Sequence, residues 1–151
     1  MDIYSELGLI YSEALTEVIS KVTGVRLKLI SSDDDGGFEE ITGVMSLNGR
    51  KSGMLFVTAS VADVRMLCSY FVGIPLSEVT ENDIDDTICE FANMTAGNAK
   101  MSLNGTDYMF NLAQPFTVKG ADMSIISKDR THVISRTLSD ENVTVKIKVV
   151  Y

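Results

Sequence analysis

The 151-residue sequence has no tryptophan, two prolines, two cysteines and a single histidine. Each scarcity closes off a kind of chemistry. His132 alone, in the strand-like "THVISRT", cannot build a metal-ligand cluster or a Ser/His/Asp or Cys/His arrangement, and it reads as a structural residue. Cys68 and Cys89 form neither a CxxC pair nor a disulfide framework, so both read as free buried thiols. Positive charge is also in short supply. Thirteen Lys and Arg against 21 Asp and Glu leave a net charge of −8, which opposes both the nucleic-acid backbone and an anionic membrane surface. No apolar run approaches the roughly 20 residues of a membrane span. The N-terminal "MDIYSELGLIYSEAL" carries acids where a secretory signal carries positive charge. These absences predict a cytoplasmic protein that partners neither nucleic acid nor membrane.

With 45% hydrophobic residues, the chain can bury the core of one domain, taken as residues 1–151. Tyr11, Leu15, Val18 and Val22 fall at the spacing of one helical face and predict a long amphipathic helix over residues 3–23. "VRLKLI" (25–30) reads as a strand and "SSDDDGG" (31–37) as a solvated acidic loop with no flanking residues to complete a cation site. Residues 40–60 read as a hairpin turning at Asn48-Gly49. A second helix is predicted over Val61–Val72, with Val64, Leu67, Cys68 and Phe71 facing inward. The third begins at "TENDIDD", where Thr80 and Asp83 make a capping box and the acids suit the helix dipole. The remaining segments are rich in β-branched and aromatic residues and predict strands, with "SDEN" (139–142) as a turn and Pro115 at a strand edge, bulge or end. Aligning residues 13–24 with 85–97 sets Glu17 on Glu90, Ser20 on Asn93 and Gly24 on Gly97. The core positions of the two helices coincide as well, so the chain reads as a duplicated helix-plus-strands unit.

The third helix carries "CEFANMTAGNAK", with asparagine and glycine where alanine would hold a helix better by up to about 1 kcal/mol each. Ile84, Ile88, Phe91, Thr95 and Ala99 cluster in the sector that must face the sheet, whereas Asp86, Glu90, Asn93 and Gly97 lie opposite. Glu90 and Asn93 thus project side by side into solvent, next to a position without a side chain. A carboxylate, a carboxamide and a missing side chain describe a surface that another molecule can approach closely. The same pattern also fits the wet face of an ordinary helix.

"EFANMTAGNAK" resembles the ExxN signature of the CheC/CheX chemotaxis phosphatases, and the element order through "QPFTVKG" (114–120) resembles the CheX branch across nearly the whole chain. CheC-type members carry a second Glu/Asn pair on the first helix. Here that helix has Glu17 with Ser20, which leaves one active surface and favours CheX. The resemblance implies an α+β fold of two layers, with long helices packed on a largely antiparallel sheet and an internal duplication. It implies a phosphatase acting on the aspartyl phosphate of a CheY-type response regulator, with Glu90 and Asn93 catalytic and Asp86, Gly97 and Asn98 meeting the partner. Lys100 reads as a solvent-facing flank. No cofactor of its own is implied, since the regulator supplies Mg²⁺, and a homodimer joined through sheet edges is expected. A reading from a different class uses the same helix face as a non-catalytic module that binds a regulator or another signalling partner.

Overall fold

A computed structural model describes residues 2–32, 37–125 and 132–151. Asp33, Asp34 and Asp35, read as part of a solvated loop, lie outside the described residues. Helix α1 (Ile3–Thr23) starts where Asp2 accepts a hydrogen bond from the Ser5 amide, and it buries Leu7, Tyr11, Leu15 and Ile19. Helix α2 (Val61–Val72) is capped by Ser60 and stops at Gly73, whose φ of 77° ends it in the left-handed conformation. Of its predicted inward stripe, Val64, Leu67 and Cys68 are fully buried, whereas Phe71 is only partly so. Helix α3 (Glu81–Leu103) begins with the predicted capping box: Thr80 and Asp83 exchange side-chain-to-amide hydrogen bonds, and the Thr80 contacts hold the Asp83 carboxyl below its ordinary range.

Among the described residues, seven strands form one antiparallel sheet: β1 (Lys28–Ser31), β2 (Ile41–Gly49), β3 (Gly53–Ala59), β4 (Phe110–Leu112), β5 (Phe116–Lys119), β6 (Val133–Ser139) and β7 (Thr144–Val150). Their order is β1-β6-β7-β3-β2-β4, with β5 also on β2. Alternate residues of the central strands, Leu55 and Val57 on β3 and Val145, Ile147 and Val149 on β7, are buried. Helices α1 and α3 both pack on the sheet and on each other, and α2 packs against α3, giving two layers. Gly43 on β2 sets the closeness of α3. A Cβ at this position would collide with the Ile88 carbonyl oxygen and press on the Ala92 Cβ.

Exchanging β1, β2 and β3 with β4–β5, β6 and β7 reverses the sheet order and leaves its pattern unchanged. The sheet thus carries the predicted duplication, with α1 leading one set of strands and α3 the other.

Two predicted boundaries move. Asn48 and Gly49 are the last residues of β2 and the turn is Arg50–Ser52, because pairing with Asn111 and Phe110 of β4 keeps both in the ladder. Strand β1 begins at Lys28, after Val25–Leu27 has led the chain away from α1 and buried Leu27 against the core. Pro115 falls between β4 and β5, where it donates nothing to the ladder on either side.

Candidate functional site

The inner face of α3 buries Ile84, Ile88, Phe91, Ala92, Thr95, Ala96 and Ala99. Small residues in this stripe let the helix axis sit close to β2, and the site is what remains on the other side. Its first turns are tied down from β5: Thr117 donates to the Asp85 carbonyl at 2.8 Å, and the Lys119 ammonium lies 2.8 Å from both Glu81 and Asp85. Those carboxylates raise the Lys119 pKa, Asp85 foremost, and Lys119 in turn holds the Glu81 carboxyl low.

Glu90 and Asn93 come together as their spacing predicts. The Asn93 carboxamide Nδ2 donates to Glu90 Oε1 over a long 3.4 Å. Both residues are half-buried and not fully solvated as read from the sequence, because neighbouring turns and side chains shield their inner atoms. Asp86 is exposed one turn earlier. Gly97 lies one turn later, and a Cβ built there has nothing within 4 Å, so neither packing nor backbone conformation demands a glycine.

Asn98 stands at the flank of this stripe and turns toward α1, where its Nδ2 donates to Glu17 Oε2 at 3.1 Å. Glu17, the counterpart of Glu90 in the first copy, therefore braces α3, and no asparagine accompanies it. The sequence reading did not include Met101, which is 81% exposed on the face of α3 that bears Glu90. Its position eleven residues after Glu90, three helical turns on, was the available signal.

Cys89 is half-buried, contrary to the expectation of a buried thiol, because Glu90 follows it on the outer face. Burial raises its pKa, the Thr117 contact opposes this, and the Glu90 and Asp86 carboxylates push it up further. A thiol so placed is not an activated nucleophile. Among the described residues, no three His, Cys, Asp or Glu side chains converge on a possible metal position. The outer face of α3 therefore offers two hydrogen-bonding side chains that can orient a water or a partner's groups.

The family model for the chemotaxis phosphatase CheX matches residues 41–139, more than half of the chain and including the whole of α3. No curated protein sequence matches the chain. Chemotaxis protein CheX from Vibrio vulnificus is similar in structure, with a TM-score of 0.81 at 20% identity, covering 95% of this chain and 97% of its own. CheX from Desulfovibrio desulfuricans follows at 0.79 and 19%, with coverage of 95% and 97%. A chain of the CheX-CheY-BeF3-Mg²⁺ complex from Borrelia burgdorferi superposes with a TM-score of 0.74 at 15% identity, covering 93% of this chain and 94% of its own. At these identities the solved structures establish the shared α+β fold, and the family match carries the assignment: the chain belongs to the CheX family of chemotaxis phosphatases.

Proposed function

We propose that this chain hydrolyses the aspartyl phosphate of a CheY-type response regulator in the cytoplasm, with Glu90 and Asn93 as its catalytic pair. The observation that carries this reading is the Asn93–Glu90 contact on the outer face of a helix whose next turn, at Gly97, is unobstructed. The complex of the Borrelia relative with CheY, BeF3 and Mg²⁺ supports the choice of partner. In the reaction, water attacks phosphorus in line with the carboxylate oxygen. A new P–O bond forms, the bond to the aspartyl oxygen breaks, and its electron pair returns to the carboxylate as inorganic phosphate leaves. The regulator brings its own Mg²⁺ and lysine, so this chain needs no metal. Asn93 orients the attacking water, Glu90 pairs with the regulator's lysine, and Asp86, Gly97 and Asn98 meet the regulator's surface. The test is release of inorganic phosphate from each phosphorylated regulator of the source organism. Faster loss of label from at least one of them is expected. Binding without faster release would make the same face a docking module, and absence of both would overturn the reading.

Gly97 separates stability from docking. Gly97→Ala should stabilise the chain by about 0.5–1 kcal/mol, since a helix interior favours alanine and the added methyl enters open space. Gly97→Lys should raise KM for the phosphorylated regulator by tenfold or more. Urea denaturation and steady-state kinetics read the two effects, and an unchanged KM in Gly97→Lys would remove Gly97 from the interface.

The chain is further proposed to form a homodimer through a sheet edge. The edges are short: β1 has four residues, and β4 and β5 are separated around Pro115. Each nevertheless exposes apolar side chains, Leu29 and Ile30 on one and Leu112 and Phe116 on the other. Light scattering at micromolar concentration should give twice the chain mass, and a monomer mass would refute pairing.

A further inference from the structure

Asp86, Asn93 and Lys100 recur at seven-residue intervals along α3, as do Gly97 and Asn104 at its end, so these residues share one side of the helix. The stripe that bears the catalytic pair therefore runs directly into a groove of about 510 Å³, formed where the end of α3 meets β2 and β4. Lys100, Asn104, Asn48 and Asn111 line it, and the Arg50–Asp107 ion pair, 3.3 Å across and largely solvated, forms its rim. Among the described residues, the side chains of Asn104 and Asn111 have no hydrogen-bond partner and Lys100 has no carboxylate partner. Asn48 uses only its Oδ1, which accepts from Ser46 at 3.0 Å, leaving its amide donors unengaged.

We propose that this groove is a second contact for the response regulator and holds an extended main-chain segment next to the regulator's phosphorylated aspartate; the proposal rests on the phosphatase reading above. Distance supports it first. Lys100 lies about 10 Å and Asn104 about 16 Å along the helix from Asn93. A protein interface of ordinary size covers roughly 800 Å² per partner, a disc about 16 Å in radius. A globular partner centred on Asn93 therefore covers Lys100 and reaches the mouth of the groove. Chemistry supports it second. A primary carboxamide offers a donor and an acceptor in one plane, the same pair that a peptide group presents, and three line this groove. Lys100 adds one positive charge that can take a carbonyl or carboxylate of the same segment. An open groove of this polarity cannot enclose a small molecule, but it matches the hydrogen-bonding needs of an exposed strand or loop.

The experiment uses the full chain with the regulator in two states, phosphorylated for turnover and trifluoroberyllate-treated, as a phosphoryl mimic, for affinity. The Asn104→Ala/Asn111→Ala double variant should raise KM and Kd by about tenfold, the loss of one or two hydrogen bonds, while kcat stays within about twofold. Lys100→Gln should raise KM less and flatten its dependence on salt. Hydrogen exchange on the unmodified chain provides a readout that needs no variant: amides of residues 104–111 should gain protection when the regulator binds. Unchanged KM and Kd in a folded double variant, or no gain in protection if that variant fails to fold, would overturn the proposal. A chain that binds regulator through the groove without releasing phosphate would leave the groove standing and defeat the phosphatase reading. A chain that binds no regulator defeats both.

Discussion

Asn93→Ala should release phosphate from the phosphorylated regulator about 10²-fold more slowly or worse, while its affinity for the trifluoroberyllate-treated regulator stays close to that of the unmodified chain. The expectation follows from what a carboxamide can and cannot do on this helix. It carries no charge to attract a partner and has no titratable proton, so the contribution proposed for it is geometric: to fix a water in line with the bond that breaks. Losing such a positioning group characteristically lowers kcat and kcat/KM together. Glu90 is coupled to it through the 3.4 Å contact but acts differently. Glu90→Ala should weaken association as well as rate, because the lost partner is the regulator's lysine, and its penalty should shrink as added salt weakens that ion pair in the unmodified chain. Ser20→Ala on α1 is the control. Ser20 occupies the position that Asn93 holds on α3, lacks the carboxamide, and should leave turnover unchanged. Glu17 cannot serve in the same way, since it accepts the Asn98 hydrogen bond. Full activity in Asn93→Ala, or an equal loss from Ser20→Ala, would place the chemistry on another surface.

Gly43→Ala should destabilise the chain by about 3 kcal/mol, from a position beneath the inner face of α3, opposite the face that bears Glu90 and Asn93. The methyl group would be driven against the Ile88 carbonyl, which belongs to the α3 backbone and cannot rotate away as a side chain could. Relief requires α3 to lift from β2, and lifting it opens the layer that Ile88, Phe91 and Ala92 fill. For a chain of this length the loss corresponds to a drop in Tm of about 6–12 °C. Thermal unfolding followed by circular dichroism measures it, and a Tm within about 2 °C of the unmodified chain would show that helix and strand are less tightly packed than described. Gly43 and Gly97 are thus opposite cases: the first is required by the neighbour already present, and the second leaves room for one that arrives.

The helices were legible in the sequence because their signals are local. Apolar spacing places α2, and the Thr80–Asp83 capping box the start of α3, where they occur. The strands were less so, because their limits depend on partners distant in sequence. Asn48-Gly49 has the composition of a hairpin turn, yet β4, some sixty residues on, holds it in the ladder. The contact between Glu90 and Asn93 was legible because residues three apart on a helix share a face. The groove was not, because its walls come from three elements. The Asn98–Glu17 bond leaves no sequence signal for the same reason, as it joins helices that only the folded sheet brings together.

The order of the sheet has a consequence for how the chain reaches its folded state. Strand β1 of the first unit pairs with β6 of the second, β4 and β5 of the second pair with β2 of the first, and β3 meets β7 at the centre. The two repeats are interlaced, so neither can complete its own layer of strands before the other has arrived. Cutting the chain between them would yield two fragments with unmatched strands, not two small proteins. Assembly should accordingly be concerted and slow, paced by closing long loops, and the helix that carries Glu90 and Asn93 acquires its final position only when strands from both ends of the chain are in place.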